Sequence, residues 1–362
     1  MSGEFLSFEE GSGYANSTEA ENVTLSCLAE SIQVSVTTQL PYSSTLTMAV
    51  RGVLAFFYII FLFVGTFLNS LVIVLVAKHK KLHTLSFAIA LQVVVLDLLL
   101  SLTFMVNLVS AIANRWLFGE HFCAFVGFVV LIMASMRTFL MFIFVIDHFL
   151  SVFLPFSYTK HKVKVVVSLS VLCWVLSFAI QAAMLPGLLG CYHFSTLSWS
   201  CGFSSQCRGN CSIFIAVYLY LILIPITVLP IVLYIALFCK AKKARKNDAA
   251  FSDSRSQKKE WKATITFFLL FLSVLVTVLP TNLISSLIFN ISREISAASY
   301  VILSLNVIVV RLLVITDPIV IMRNQDVREI LAKRKTNIKF VHRTINSHIA
   351  IHFLQTNFYE CG

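Results

Sequence analysis

Seven separate apolar runs, each long enough to cross a lipid bilayer, decide what this chain can fold into. A spanning helix needs about 20 mostly apolar residues, because it rises about 1.5 Å per residue across about 30 Å of hydrocarbon. The runs extend roughly from Gly52 to Val76, Phe87 to Ile112, Phe122 to Phe153, Val165 to Leu189, Ile213 to Phe238, Thr264 to Phe289 and Ala297 to Met322. Composition points the same way: 58% of residues are hydrophobic and 12% charged, where soluble domains carry about 25% charged residues. The expected fold is an all-α membrane protein, a seven-transmembrane helix bundle.

Seven spans put the termini on opposite sides, and the basic residues choose which is which. Lys and Arg collect in cytoplasmic loops. Segments 78–81, 160–164, 240–262 and the tail from Arg323 hold 22 of the 28 basic residues, and the first 50 residues hold none. The N-terminus is therefore expected outside and the C-terminus in the cytoplasm. Glycosylation requires Asn-x-Ser/Thr on the lumenal face, and the triplets at Asn16, Asn22, Asn210 and Asn290 all fall on the expected outer side. No basic start, short apolar core and small-residue cleavage site precedes Arg51, so the first helix is read as its own membrane signal.

The net charge of +11 does not indicate nucleic acid, because no aromatic-basic groove or finger spacing accompanies it. Its partner is read as the anionic lipid of the inner leaflet. Residues 1–50 are acidic, Ser/Thr-rich and lightly apolar, the composition of a disordered glycosylated arm. Residues 51–322 form the bundle. In 323–335, RNQDVREILAKRK sets Val327, Ile330 and Leu331 on one helical face, the pattern of a short amphipathic helix on the inner membrane surface. Residues 336–362 are read as a cytoplasmic tail.

Local patterns inside the spans resemble those of rhodopsin-like (class A) G-protein-coupled receptors, over about Gly52 to Lys335. The first span carries GTFLN ending at Asn69, and the second VVVLDLLL with Asp97. WLFG at Trp116–Gly119 precedes Cys123 at the start of the third span, which ends in Asp147-His148-Phe149 with Pro155 downstream. Trp174, Pro230 and Pro280 mark the fourth, fifth and sixth spans, and Asp317-Pro318 the seventh. Leu82–Phe87 (LHTLSF) and RNQDVRE also resemble odorant receptors, whose longer signatures are missing. The resemblance implies a plasma-membrane receptor that binds an extracellular small ligand and passes the signal to a heterotrimeric G protein of undetermined class, with no cofactor. Pro230, Pro280 and Pro318 are then helix-bend prolines. The family joins a Cys at the position of Cys123 to the loop after the fourth span. Cys201 is the favoured partner, Cys207 the next, with Cys191 and Cys211 also present.

The departures from the family pattern are as informative as the matches. Asp147-His148-Phe149 stands where the family has Asp-Arg-Tyr, so an imidazole with a reference pKa of about 6.5 replaces a permanently charged guanidinium. Glu260 falls where the family has an acid at the inner end of the sixth span, so Asp147, His148 and Glu260, with Pro155 close by, are the expected G-protein-facing switch. Thr277, Val278, Phe238 and Ile321 replace polar or aromatic switch residues, removing contacts that hold the family's active state. Coupling is expected to be atypical.

Arg137 lies 11 residues before His148, facing the bundle near mid-membrane, where the family has a Ser beside a sodium ion. A lone Arg there costs at least about 2.5–3.5 kcal/mol and needs a partner. With Asn69, Asp97 and Asp317 it is expected to form a buried polar core in which Arg137 takes the ion's place. The plainer reading is an ion pair that only fixes helix packing. Arg311 falls where opsins have the retinal-linking Lys, and Arg cannot form that Schiff base. It reads either as a counter-charge for an anionic ligand or as a donor to Asn107 or to backbone on a neighbouring helix. The rest of the presumed ligand pocket, with Val130, Thr281, Asn282 and Ser285, offers no cation partner, so an amine is disfavoured and a small apolar or carboxylate-bearing compound favoured.

Other function classes fare worse. The His pairs His79/His83 and His348/His352 have metal-compatible i, i+4 spacing, yet membrane di-iron enzymes need about eight His in several boxes, and the nine here are scattered. A transporter would show inverted halves with broken helices, and no matching halves are evident. Within the family, a receptor-like protein that binds a ligand or partner receptor without coupling remains the alternative.

Overall fold

The computed structural model describes residues 44–185, 192–203, 224–247, 265, 268–278, 280, 283–284 and 296–332. It is a bundle of membrane-length helices with one small hairpin. The first span is α1 (Ser44–Ile60), a π-helical turn (Phe61–Gly65) and α2 (Thr66–Lys78); the next three are α3 (Leu85–Ala113), α4 (Glu120–Phe153) and α5 (Pro155–Ala182). The hairpin pairs β1 (Tyr192–Ser195) antiparallel with β2 (Ser200–Phe203), Phe194 opposite Cys201. α6 (Ile224–Asn247) and α7 (Phe268–Val278) belong to the fifth and sixth spans, and α8 (Ala297–Arg311) with α9 (Leu313–Met322) forms the seventh. A last helix, α10, covers 325–332. Among the described residues, five spans are long and apolar enough to cross a membrane, with shorter apolar segments in α6 and α7.

Local chemistry sets the ends. Thr84 caps α3, its Oγ1 accepting the Phe87 N–H at 3.4 Å, and Asn114 closes that helix in the left-handed region at φ 59°, as Asn tolerates. Pro155 opens α5, where its missing N–H costs nothing. Ser296 caps α8 by accepting the Ser299 N–H at 3.2 Å.

The helices present two apolar surfaces. Leu75, Val93, Met136, Leu140, Leu270 and Ile321 join a buried core shared by the spans, while Phe63, Phe67, Met105, Phe125, Val171 and Phe178 point outward. In water that outer surface would drive association; facing hydrocarbon it is the solvent match. Gly65 is where three spans come closest. A Cβ there would lie 2.6 Å from Ser101 Oγ and 2.7 Å from Val314 Cγ1, so any larger residue would have to push those side chains aside. Just beyond the π-helical turn, Asn69 Nδ2 donates to Gly65 O at 2.8 Å and to Val314 O at 2.9 Å. The first and seventh spans are thereby tied together.

α10 lies against the bundle as its pattern predicts: Val327 is buried and Ile330 and Leu331 pack on the main core. Lys81, between the first two spans, holds the helix's other face through Asp326 Oδ1 at 3.0 Å and Glu329 Oε2 at 2.6 Å. Pro230 lies inside α6 and Pro318 inside α9, both buried, whereas Pro280 occupies an exposed helical position.

Candidate functional site

Three charged clusters occupy three levels of the bundle. In the middle, α3, α4 and α9 bring Asp97, Arg137 and Asp317 together, at 1%, 6% and 0% exposure, so water cannot serve any of them. Arg137 Nη1 lies 3.1 Å from Asp97 Oδ1, and Nη2 donates to Asp317 Oδ2. Ser273 of α7 donates to the other Asp317 oxygen at 3.2 Å. Neither Arg137 Nε nor Asp97 Oδ2 has a hydrogen-bond partner among the described residues. One cation thus serves two carboxylates, and Asp97 is the surplus acid. Asn69 stands apart from the ion pairs, on the backbone of α9.

At the basic end, marked by Lys81, Lys162 and Lys240, Asp147 is fully buried. Its Oδ1 accepts from Tyr158 Oη at 2.8 Å, and its Oδ2 lies 3.1 Å from Lys162 Nζ. Lys162 also donates to Ser151 Oγ at 3.2 Å. Burial first, then the hydrogen bond and charge of Asp147, push the Tyr158 phenol above its ordinary pKa. His148 Nδ1 is 3.9 Å from Asp147 Oδ2, too far for a hydrogen bond, and 3.3 Å from Phe144 O, with the imidazole stacked on the Phe144 ring. Glu260 lies outside the described residues. Asp147 thus keeps His148 at ion-pair distance, as expected, and adds two closer partners that were not expected, Tyr158 and Lys162. Pro155 starts a new helix at once, and residues four apart on a helix share a face, so Tyr158 and Lys162 reach the acid together. That i, i+4 spacing was legible in the sequence, where Lys162 counted only as a topology marker. Nearby, Lys240 Nζ donates to Val152 O at 2.7 Å and sits 4.2 Å over the Phe153 ring.

At the hairpin end, Cys123 is disulfide-bonded to Cys201, which pins β2 to the start of α4. Gly127 permits the approach, since a Cβ there would lie 2.8 Å from Tyr192 Cδ1. Tyr192 Oη donates to Gln181 O at 3.0 Å. The turn between the strands carries Trp199 inward to 2% exposure at φ 47°, with Arg51 over its ring at 5.9 Å. Tyr58 Oη donates to Ser198 O. Arg311 Nη2 donates to Ser200 Oγ at 3.0 Å, and its guanidinium lies 4.9 Å from the Tyr58 ring and 5.4 Å from that of Phe104. Among the described residues Arg311 makes no hydrogen bond to Asn107, one of the readings of the sequence; Asn107 is buried and its Oδ1 has no partner among those residues. Sequence reasoning missed Trp199 and Ser200, because a loop residue entering a bundle carries no periodic signal, and Tyr58 of α1, whose partners come from that loop.

Val130 packs against the main core. Thr281, Asn282, Ser285, Cys191, Cys207, Cys211 and the acceptors Asn16, Asn22, Asn210 and Asn290 lie outside the described residues.

A bundle of membrane-length helices with buried polar clusters suits several kinds of membrane protein, and comparison with known proteins says which kind this is. The family model described as 7 transmembrane receptor (rhodopsin family) matches residues 68–320, and the chain belongs to that family, a family of receptors rather than enzymes. It is 31% identical over 133 residues to the Histamine H1 receptor of Mus musculus, covering 36% of this chain and 26% of that one. It is 30% identical over 149 residues to the Alpha-1A adrenergic receptor of Oryzias latipes, covering 41% and 31%. The match thus spans about a quarter to a third of the length of these curated relatives. The crystal structure of squid rhodopsin superposes with a TM-score of 0.65 over 80% of this chain and 87% of that one, at 17% identity, a likeness of fold.

Proposed function

We propose that this protein is a plasma-membrane receptor, N-terminus outside and C-terminus cytoplasmic, which converts binding of an extracellular small ligand into an altered helix arrangement recognised by a heterotrimeric G protein. The observation that carries this reading is at the basic end. There a fully buried Asp147 sits on the same end as an open cavity of about 690 Å³ lined by Ile319, Met322, Arg323 and Arg328. Two arginines at the rim suit a partner segment bearing carboxylates, and a buried acid held by Tyr158 and Lys162 is an element that two helix arrangements can treat differently. Family membership and the basic segments beside the membrane agree with it.

A second reading has a specific observation of its own. With Asp147 occupied by Lys162 and Tyr158 and the imidazole of His148 turned onto Phe144, the chain binds ligand or a partner receptor without productive coupling. A G-protein dissociation panel in cells separates the two. The receptor reading expects basal signal from the wild type in at least one G-protein class, with a stronger signal from His148→Arg. Signal from His148→Arg alone supports the non-coupling reading, and silence of both chains at normal surface expression sinks coupling.

A further inference from the structure

The turn at the tip of the hairpin sits in the bundle on poor terms. Trp199 is 2% exposed, its indole Nε1 has no hydrogen-bond partner among the described residues, and its backbone holds φ 47°, a region that bulky residues avoid. Its surroundings are the apolar cluster containing Leu54, Phe104 and Ile308. Beside it, Arg311 spends one donor on the neutral hydroxyl of Ser200 while its Nη1 is buried without a hydrogen-bond partner among the described residues. Among the described residues no carboxylate forms an ion pair with Arg311; the pairs belong to Lys81, Arg137, His148 and Lys162. A guanidinium presents five donors in a fork matched to a carboxylate, and here, among the described residues, it meets only neutral groups: the Ser200 hydroxyl, the Tyr58 side chain and the Phe104 ring. A buried donor without an acceptor is costly, and an ionised acceptor satisfies it better than a hydroxyl does.

We propose that the Ser198–Ser200 turn is a built-in occupant of a ligand site anchored by Arg311, and that the free ligand displacing it is a carboxylate on an apolar body. The carboxylate takes both guanidinium nitrogens in place of Ser200, and the apolar body takes the space Trp199 leaves. A cationic ligand is repelled by the same residue. This deepens the receptor reading and rests on it for the ligand's role, though not for its binding.

The test is hydrogen exchange of backbone amides in residues 192–203, on the full chain in nanodiscs of zwitterionic lipid, with decanoate or decanol added. The two probes share an apolar chain and differ in the carboxylate. Decanoate is expected to speed exchange in the hairpin, and decanol to leave it unchanged. Arg311→Gln should raise the half-effect concentration of decanoate about tenfold or more, the scale of hydrogen bonds to a charged group. Ser200→Ala, which removes the internal competitor, should lower it several-fold. A merely structural role for Arg311 and Ser200 would move both variants the same way, and that result overturns the proposal. So does an absent response to decanoate, an equal response to decanol, or an unshifted Arg311→Gln whose melting shows it folded. No G protein is present, so failure of coupling in cells leaves this result standing, and failure here leaves coupling standing.

Discussion

Arg137 and Arg311 are the two arginines inside the spans, and the bundle treats them in opposite ways. Arg137 touches two carboxylates from two other spans and sits at 6% exposure. Arg311 has two aromatic rings and one hydroxyl, with no acid among the described residues. A guanidinium in hydrocarbon costs at least about 2.5–3.5 kcal/mol, and the two sites meet that cost differently. Coulombic pairing makes Arg137 a strut that ties the second, third and seventh spans. Ring faces soften the environment of Arg311 without using its donors, so its charge stays available to whatever enters from the hairpin end. The cation paired with two acids builds the fold; the one that meets no acid among the described residues is where recognition is possible.

The strongest way to break this comparison is to remove the strut. Arg137→Met leaves two carboxylates buried with no cation, and losing one partner of a buried ionic set costs about 3–5 kcal/mol. The expected outcome is a large drop in melting temperature and in surface yield. Arg137→Ser sharpens the point, because it reopens the space beside Asp97 and Asp317. Its melting temperature should rise with sodium chloride relative to choline chloride while the wild type stays flat, and a sodium-dependent wild type would mean that Arg137 does not occupy the ion's place. Within the cluster, Asp317→Asn should cost more than Asp97→Asn. Asp317 holds both Arg137 and Ser273, so its loss costs on the order of 2 kcal/mol, whereas Asp97 is the surplus acid and its neutralisation should cost under about 1 kcal/mol by the same scale. Arg311→Met comes next, within about 1 kcal/mol of wild type in denaturation, since it strands a hydroxyl and no charge. If it matched Arg137→Met, the contrast between strut and anchor would collapse.

How much of this was written in the sequence differs by level. The spans were legible because hydrocarbon demands an uninterrupted apolar run, and Arg137 with its acids was legible because a charge at mid-membrane has few partners to choose from. Asp147 was a harder case. The aqueous boundary offers many cations, so the pairing of Asp147 with Lys162 depended on where Pro155 restarts the chain. The Cys123–Cys201 bond followed the family resemblance, whereas the inward turn of Trp199 had no sequence signal at all. A Trp in a polar loop reads as a surface residue until the disulfide and Gly127 are seen to pull the hairpin onto the bundle.

The smallest effect completes the series and tests burial alone. Lys81 has the stoichiometry of Arg137, one cation between two carboxylates, with Asp326 at 3.0 Å and Glu329 at 2.6 Å, but its side chain is 44% exposed. Hydrogen bonds to Glu329 and then Asp326 raise its pKa above the ordinary lysine value. A raised lysine contributes stability that is present in full below the unfolded pKa and lost only as pH rises through the folded one. The α10 tether should therefore be flat in Lys81 terms across neutral pH and weaken only in strong alkali. Water screens such pairs to about 0.2–1 kcal/mol, so Lys81→Ala should lower the melting point slightly, and high salt should erase the difference from wild type. The gap opened by Arg137→Met should survive the same salt, because ions do not reach a cluster at 0–6% exposure. Equal salt sensitivity in the two variants would show that solvent reaches the middle of the bundle, and that Arg137 is set apart by something other than burial.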